Sequence, residues 1–330
     1  MGKLIVTTFK RKHEEGMCEV IKKAFANPGA NAYPLPPPQL VILALKDNQV
    51  VGHISLRPML FHLGEKLAKG NVLHMVATDP EYQHQGIGLR MLDKVIEISE
   101  TLGFVVSLLE TPVPQFYALR GWVPVGKRYE IMIEKNLLED LEVTNESMVK
   151  LEDSNYDHVK EYIELRERIG AQKYFYVHTN DAYFHKILER YDNGSLVNFF
   201  HEITINGVFS GYVYGSRTMQ VKEGTPLVIH IYELLIEDPI TNQILAILNE
   251  LLTFDDEFTR VLVKKPEMES IEDILVEMGG IKVMSKGNID MARIIDPVLP
   301  DAKQINEDGK VHVKYVNSFF QAYLKEMEIE

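Results

Sequence analysis

Gln83-His84-Gln85-Gly86-Ile87-Gly88 sets two glycines one residue apart, between a short apolar stretch and a long amphipathic one. Glycines let a backbone come close to a ligand, and the first amides of a helix have no internal partner. Exposed N–H groups at the positive end of a helix dipole attract an anion, a phosphate above all. The six residues are therefore an anion-binding candidate. They are not a P-loop, because no Gly-Lys-Ser/Thr follows. They are not a dinucleotide-binding fingerprint either, since the first glycine and the early strand–helix–strand setting are missing.

The flanking segments say how such a loop is held. Val72 to Thr78 is apolar and β-branched, and Asp79-Pro80 stops it, so a strand is predicted. After the loop, Leu89, Leu92, Val95, Ile96 and Leu102 recur at helical spacing, with Arg90, Asp93, Lys94, Glu97 and Glu100 between them. Gly103 closes that helix and Phe104 to Leu109 forms a buried strand. Upstream, Leu4 to Thr8 is a first strand and Glu14 to Phe25 a helix. Leu40 to Leu45 and Val50 to Met59 form a hairpin around Lys46-Asp47-Asn48-Gln49. Asn27 to Gln39 is a Pro- and Gly-rich loop, a plain connector or, given its length, a border of a substrate cleft. Downstream, a short helical segment from Gln115 to Leu119 leads to Gly121-Trp122 and a last hairpin, with a strand from Tyr129 to Ile133.

A second unit follows the same order. Asn136 to Tyr191 is acidic and largely helical, with Leu151, Tyr156, Val159, Tyr162 and Ile163 as one stripe. Hairpin strands meet at Asn206-Gly207, a strand ends at Asp238-Pro239, and Thr241 to Leu252 is a helix. Then come a strand from Arg260 to Val263, a helix from Ile271 to Met278 and short strands at Lys282 to Met284 and Met291 to Ile295. Hairpin, strand, Asp-Pro, helix, strand, short helix, hairpin occurs twice, which reads as a diverged internal repeat. The second copy has Ile240-Thr241-Asn242-Gln243 where the first has its glycines, so close approach to a phosphate is lost there. The expected division is 1–135, 136–297 with the helical connector and second copy, and a tail at 298–330 with an amphipathic end.

Composition narrows the function classes. In 330 residues, 45% hydrophobic and 25% charged describes an ordinary globular chain with room for two domains. A net charge of −13 argues against nucleic acid, whose phosphates need clustered Lys and Arg, and suits a cationic small substrate. Cys18 is the single cysteine, so neither an intrachain disulfide nor a cysteine-rich zinc site is available, and the eleven histidines form no recognisable metal set. No signal-peptide core and no run approaching the ~20 apolar residues of a membrane span stand out, so the expectation is a cytoplasmic protein without a membrane partner.

In this setting Gln83-x-x-Gly86-x-Gly88, with Phe116-Tyr117-x-x-x-Gly121-Trp122 downstream, resembles the GNAT superfamily of N-acetyltransferases in both of its landmarks. The resemblance implies an α/β (α+β) fold of two tandem domains, each a mixed, mostly antiparallel sheet flanked by helices. It implies acetyl-coenzyme A as co-substrate, its pyrophosphate held by Gln83, His84, Gln85, Gly86, Ile87 and Gly88. Val76, Ala77 and Thr78 would pair with the amides of the pantetheine arm, an edge-strand interaction of a familiar kind. Tyr117 would protonate the departing thiolate, a task that suits a phenol of pKa slightly above that of a thiol. A core tyrosine with a satisfied hydroxyl is the structural alternative. An active copy followed by a degenerate one is similar, more narrowly, to the Eis-type (enhanced intracellular survival) acetyltransferases, which acetylate amines. That resemblance implies a small-molecule amine as acceptor, a C-terminal carboxylate (here Glu330) as base and a homo-oligomer. The chain departs from that type in having only 298–330 where a sterol-carrier-like domain is usual. For the base, His74, His53 and Glu110 are further candidates, each individually better explained as structural. A non-catalytic acyl-coenzyme A-binding protein with the same loop is the alternative function.

Overall fold

The computed structural model describes residues 3–26, 40–63, 66–126, 129–142, 148–154, 157–172, 175–179, 181–192, 199–217, 227–253, 258–264, 266–284 and 289–295. The chain divides into two compact units, one built from residues up to Gly126 and from a return segment after Lys286, the other from the residues between. Glu330 and the loop 27–39 lie outside the described residues.

The first unit opens with β1 (Leu4–Thr8), α1 (Glu14–Phe25) and β2 (Val41–Lys46). It continues with β3 (Gln49–Leu63), β4 (Lys66–Thr78), α2 (Ile87–Thr101), β5 (Val106–Thr111), α3 (Pro114–Ala118) and β6 (Val123–Gly126). The second begins with β7 (Tyr129–Glu134), α4 (Lys135–Glu139), β8 (Val149–Asp153), α5 (Val159–Gly170), β9 (Phe175–Val177) and α6 (Asp181–Asp192). β10 (Phe199–Ile205), β11 (Val208–Arg217), β12 (Leu227–Ile236), α7 (Thr241–Leu252), β13 (Phe258–Lys264), α8 (Glu269–Glu277) and β14 (Ile281–Met284) complete it, and β15 (Ile289–Ile294) follows.

The sheet of the first unit runs β1-β2-β3-β4-β5-β15-β6, and that of the second β14-β7-β13-β12-β11-β10-β8. Along these strand orders each is antiparallel except at one place: β4 with β5, and β12 with β13, the strands joined by α2 and by α7. The two mixed sheets flanked by helices are the expected fold class, and strand for strand their orders correspond. One feature differs from the sequence expectation. β7, read as the closing strand of the first unit, pairs with β13 and β14, while β15 fills the matching place between β5 and β6. Each sheet thus takes the sixth strand that follows the other copy in sequence. Periodicity marks a strand but not its partner, so this exchange left no sequence signal. Leu151, read as part of a helical stripe, lies instead in β8 opposite Ile203. Val149-Lys150-Leu151-Glu152-Asp153 alternates with period two, and five residues are too few to separate that period from a helical one.

In the first unit helices cover both faces of the sheet, which is why β2 is a continuous apolar run. Val41, Leu43 and Leu45 pack with Met17, Val20 and Ile21 of α1, whereas Ile42 and Ala44 pack with Met91, Leu92 and Val95 of α2. A fully buried side chain of this kind contributes about 1.5–3 kcal/mol. Leu102, counted in the apolar stripe of α2, is exposed, and Ile87, Met91 and Ser99 take the buried face instead. Ser99 is buried because it completes a polar link. Asn71 of β4 donates to Ser99 Oγ at 2.9 Å and accepts from Ser107 Oγ of β5 at 2.8 Å, all three fully buried. The link ties α2 to the junction of β4 and β5, and removing a partner would leave buried hydroxyls unpaired at about 1–3 kcal/mol each.

In the second unit an aliphatic core lies under α4, α7 and α8. The opposite face of that sheet carries an aromatic layer, with Tyr162 of α5 and Phe184 of α6 against Phe200 and Tyr212. Arg166 is buried there and donates to Glu233 Oε1 at 3.0 Å and to Thr179 Oγ1 at 2.8 Å. No helix among the described residues is long and apolar enough to cross a membrane.

Candidate acyl-coenzyme A site

The site forms where β4 parts from β5. The parallel register runs through Gly70, Asn71 and Val72 only, opposite Val106, Ser107 and Leu108. β4 continues for six more residues to Thr78 with β3 on one side, so Val76, Ala77 and Thr78 lie on the edge that β5 has left. Backbone groups on such an edge are available to an extended ligand.

The edge is also bent. Between His53–Ala77 and Ser55–His74 the β3–β4 register slips, and Met75 takes a φ of 50°. Two side chains of β3 secure this bulge: His53 Nδ1 donates to the Met75 carbonyl at 2.8 Å and Ser55 Oγ to the His74 carbonyl at 3.1 Å. A carbonyl only accepts, so the His53 proton sits on Nδ1 and Nε2 is a bare acceptor. Burial pushes the His53 pKa down to about 4, against the opposing effect of the Met75 hydrogen bond. His74 is pushed down to about 2, by burial first and then by Arg57 and His53. An imidazole with so little affinity for a proton is a poor general base at neutral pH. The sequence-based candidates His53 and His74 therefore sit at the edge but in surroundings that keep them neutral.

This predicts acid sensitivity with a defined sign. Above about pH 6.5 His53 is neutral in both folded and unfolded chains and has no pH effect. As pH falls from there towards 4 the unfolded chain takes up a proton that the buried ring refuses, so stability is lost, up to about 3 kcal/mol for this one residue. In urea unfolding from pH 7.5 to 4.5, His53→Gln should flatten the loss relative to the natural chain. Equal slopes in the two proteins would remove His53 from the cause.

At the far end of β4, Asp79 Oδ1 accepts the Glu81 N–H at 3.0 Å and starts the turn Pro80–Tyr82, while its Oδ2 pairs with Lys23 of α1 at 2.9 Å. Gln83 Nε2 reaches back to the Thr78 carbonyl at 3.3 Å, and His84 and Gly86 take φ of 61° and 73°. Gly86 is the N-cap of α2, whose first internal bond is Arg90 N–H to the Gly86 carbonyl at 3.2 Å. The amides of the first turn before Arg90 have no partner within the helix, and no side chain caps them. A Cβ on Gly86 would meet nothing within 4 Å, so the loop faces open space there. Lys46 of β2, which sequence reasoning passed over, donates to Gln85 Oε1 at 2.9 Å and lies 5.0 Å above the Tyr82 ring. It brings a cation to the glycine loop from 39 positions away, and only the hairpin register could have revealed it.

Tyr117 lies beyond the end of β5. Thr111 Oγ1 accepts the Val113 N–H at 3.0 Å, and Pro114 then starts α3. Tyr117 is buried at 6% exposure, edge-on to Phe116 at 4.9 Å and to Trp122 at 6.4 Å. Burial raises its pKa to about 12, with the Thr111 hydroxyl opposing, so the phenol keeps its proton at neutral pH. Trp122 is fully buried in the same core as Leu109 and Met291, and Arg293 of β15 lies 5.6 Å over its ring.

The second copy has the outline of this site without its chemistry. β12 outruns β13 beyond Ile231, much as β4 outruns β5. At the start of α7, however, Gln243 Oε1 accepts the Ile240 N–H at 3.3 Å, so the turn is closed on itself by a side chain.

Residues 13–122 match the model of the "Acetyltransferase (GNAT) family". No curated protein matches the chain in sequence. Among solved structures, a GCN5-related N-acetyltransferase from Anabaena variabilis is similar with a TM-score of 0.71 and 12% identity, covering 89% of this chain and 73% of that one. A conserved protein of unknown function from Enterococcus faecalis, a probable N-acyltransferase, gives 0.67 and 14%, with 89% and 73% covered. Eis1 from Mycobacterium abscessus gives 0.61 and 14%, with 89% and 74% covered. At these identities the likeness is one of fold. The sequence match spans the open edge, the glycine loop, Tyr117 and Trp122, so this part of the first unit is similar in sequence to an acetyltransferase domain of the GNAT family.

Proposed function

We propose that the chain transfers the acetyl group of acetyl-coenzyme A to the amine of a small molecule by direct attack. The observation that supports this is that three features fall within the matched segment: the edge of β4 at Val76, Ala77 and Thr78, the loop from Gln83 to Gly88, and Tyr117 beyond β5. In this reading the pyrophosphate lies on the loop amides with Lys46 near, and the pantetheine arm pairs along the edge towards Tyr117. The amine forms its bond to the acetyl carbon, the carbon–sulfur bond breaks, and the sulfur leaves as a thiolate beside the Tyr117 hydroxyl. A phenol raised to about 12 is a weaker acid than a thiol, so Tyr117 serves as a hydrogen-bond donor that stabilises the charge building on sulfur, and the thiolate leaves as such or takes its proton from water. The acceptor enters as its free base, with water carrying off its proton, since His74 holds a proton too weakly to take one up at neutral pH.

A ligand that binds only the folded chain raises its stability, by about 2.7 kcal/mol at a hundred times the dissociation constant. Thermal unfolding in millimolar acetyl-coenzyme A should therefore shift upward by several degrees, and adenosine alone should do much less. No shift with the full co-substrate would overturn the proposal.

A further inference from the structure

The two glycines of the loop do different work. Gly86 has a left-handed backbone and open space where a side chain would be, as a ligand-facing glycine should. Gly88 does not. A Cβ built on it would stand 2.7 Å from Cζ of Phe116, closer than such carbons approach, and a tight 3.1 Å from Cε2, so the ring would have to shift. It sits within α2, so its backbone needs no unusual conformation. Phe116 is the neighbour of Tyr117 on α3, edge-on to it at 4.9 Å, and packs against the core that holds Tyr117 and Trp122. α3 is only five residues long and has no side-chain cap, so its own backbone does little to fix its position.

We propose that Gly88 is a socket for the Phe116 ring, and that Phe116 is a positioning residue which fixes Tyr117 relative to the anion loop. The inference rests on the functional reading above and assigns the missing side chain of Gly88 to the alignment of the Tyr117 hydroxyl, while its amide stays with the loop. A methyl group at position 88 forces the Phe116 ring out of its seat, and the neighbouring phenol moves with α3. Displacements of about 1 Å at a reacting centre can cost up to about 100-fold in rate.

The test is a set of three variants in the full chain, with kcat measured by thiol release and acetyl-coenzyme A affinity measured by calorimetry. Gly88→Ala should lower kcat by about tenfold or more with affinity within about twofold of the natural chain. Phe116→Ala, which empties the socket and leaves the loop untouched, should do the same. Gly88→Ala combined with Phe116→Leu, in which a shorter side chain makes room for the methyl group, should recover most of the lost kcat. Relief of a merely destabilising clash would restore stability and kcat together, so thermal unfolding of each variant separates misfolding from misplacement: the inference requires the loss and recovery of kcat in variants that stay folded at the assay temperature. If Gly88→Ala weakens acetyl-coenzyme A binding at unchanged kcat, or if the shorter residue 116 gives no recovery, the inference is wrong. If the natural chain binds acetyl-coenzyme A and acetylates no amine, the functional reading fails and this inference falls with it.

Discussion

Tyr117→Phe is expected to lower kcat for acetyl transfer by about 100-fold while leaving acetyl-coenzyme A affinity within about twofold. The hydroxyl contributes only when negative charge develops on sulfur, so its loss belongs in kcat and not in ground-state binding. The substitution is mild for the fold. Tyr117 is held by ring contacts with Phe116 and Trp122 that phenylalanine keeps, and the atom removed is the one whose burial raises the pKa to about 12. Steady-state kinetics with calorimetric binding decide the matter. An unchanged kcat would return Tyr117 to the role of a core residue, which its 6% exposure also suits.

A chain ending after Glu134 is expected not to fold cooperatively, although it contains the whole of the matched segment 13–122. The missing piece is β15. Its register with β5 runs over six residues, from Ile289–Thr111 to Ile294–Val106, and it holds β6 through Asp290, Met291 and Ala292. Met291 is fully buried with Leu109 and Trp122, and Arg293 donates to the Arg120 carbonyl beside Tyr117's helix. Withdrawing one core methionine costs about 2–5 kcal/mol, and unpairing a sheet strand adds to that against a total stability of about 5–15 kcal/mol. The exposed edge of β5 would also invite aggregation. Circular dichroism should find no sharp thermal transition in the truncated chain. In the full chain, Met291→Ala should lower stability by about 2–5 kcal/mol, which separates the strand's contribution from loss of the second unit. A truncated chain that unfolds as cooperatively as the full one would contradict the assignment.

These two expectations differ in how far the sequence foretold them. Gly86, the helix after it and the strand before it were legible because each depends on local chemistry: a left-handed turn, a 3.6-residue period, an apolar run ended by Asp-Pro. Tyr117 stood out as a candidate through its spacing from Gly121-Trp122, on the strength of the family resemblance. The repeat was legible too, and the absence of glycines in the second copy matches a helix start there that is closed by Gln243. What could not be read were relations set by long-range register. Nothing local distinguishes β15 from any other short strand, yet it completes the sheet that carries the candidate site. Lys46 is one of many lysines until the β2–β3 hairpin brings it to Gln85. Gly88 matched the motif, but its contact with Phe116 appears only when α3 is folded onto α2. The low basicity of His53 and His74 follows from burial, which residue type alone does not reveal.

The central claim is acetyl transfer from coenzyme A to a small amine. Its most direct test is to incubate the full chain with acetyl-coenzyme A and a panel of primary amines, following free thiol and acetylated product together. Thiol release should depend on the amine, with one acetylated molecule formed per thiol and both suppressed in Tyr117→Phe. Tight binding of acetyl-coenzyme A with no amine-dependent thiol release across the panel would contradict it, and would leave a protein that binds the acyl donor without using it.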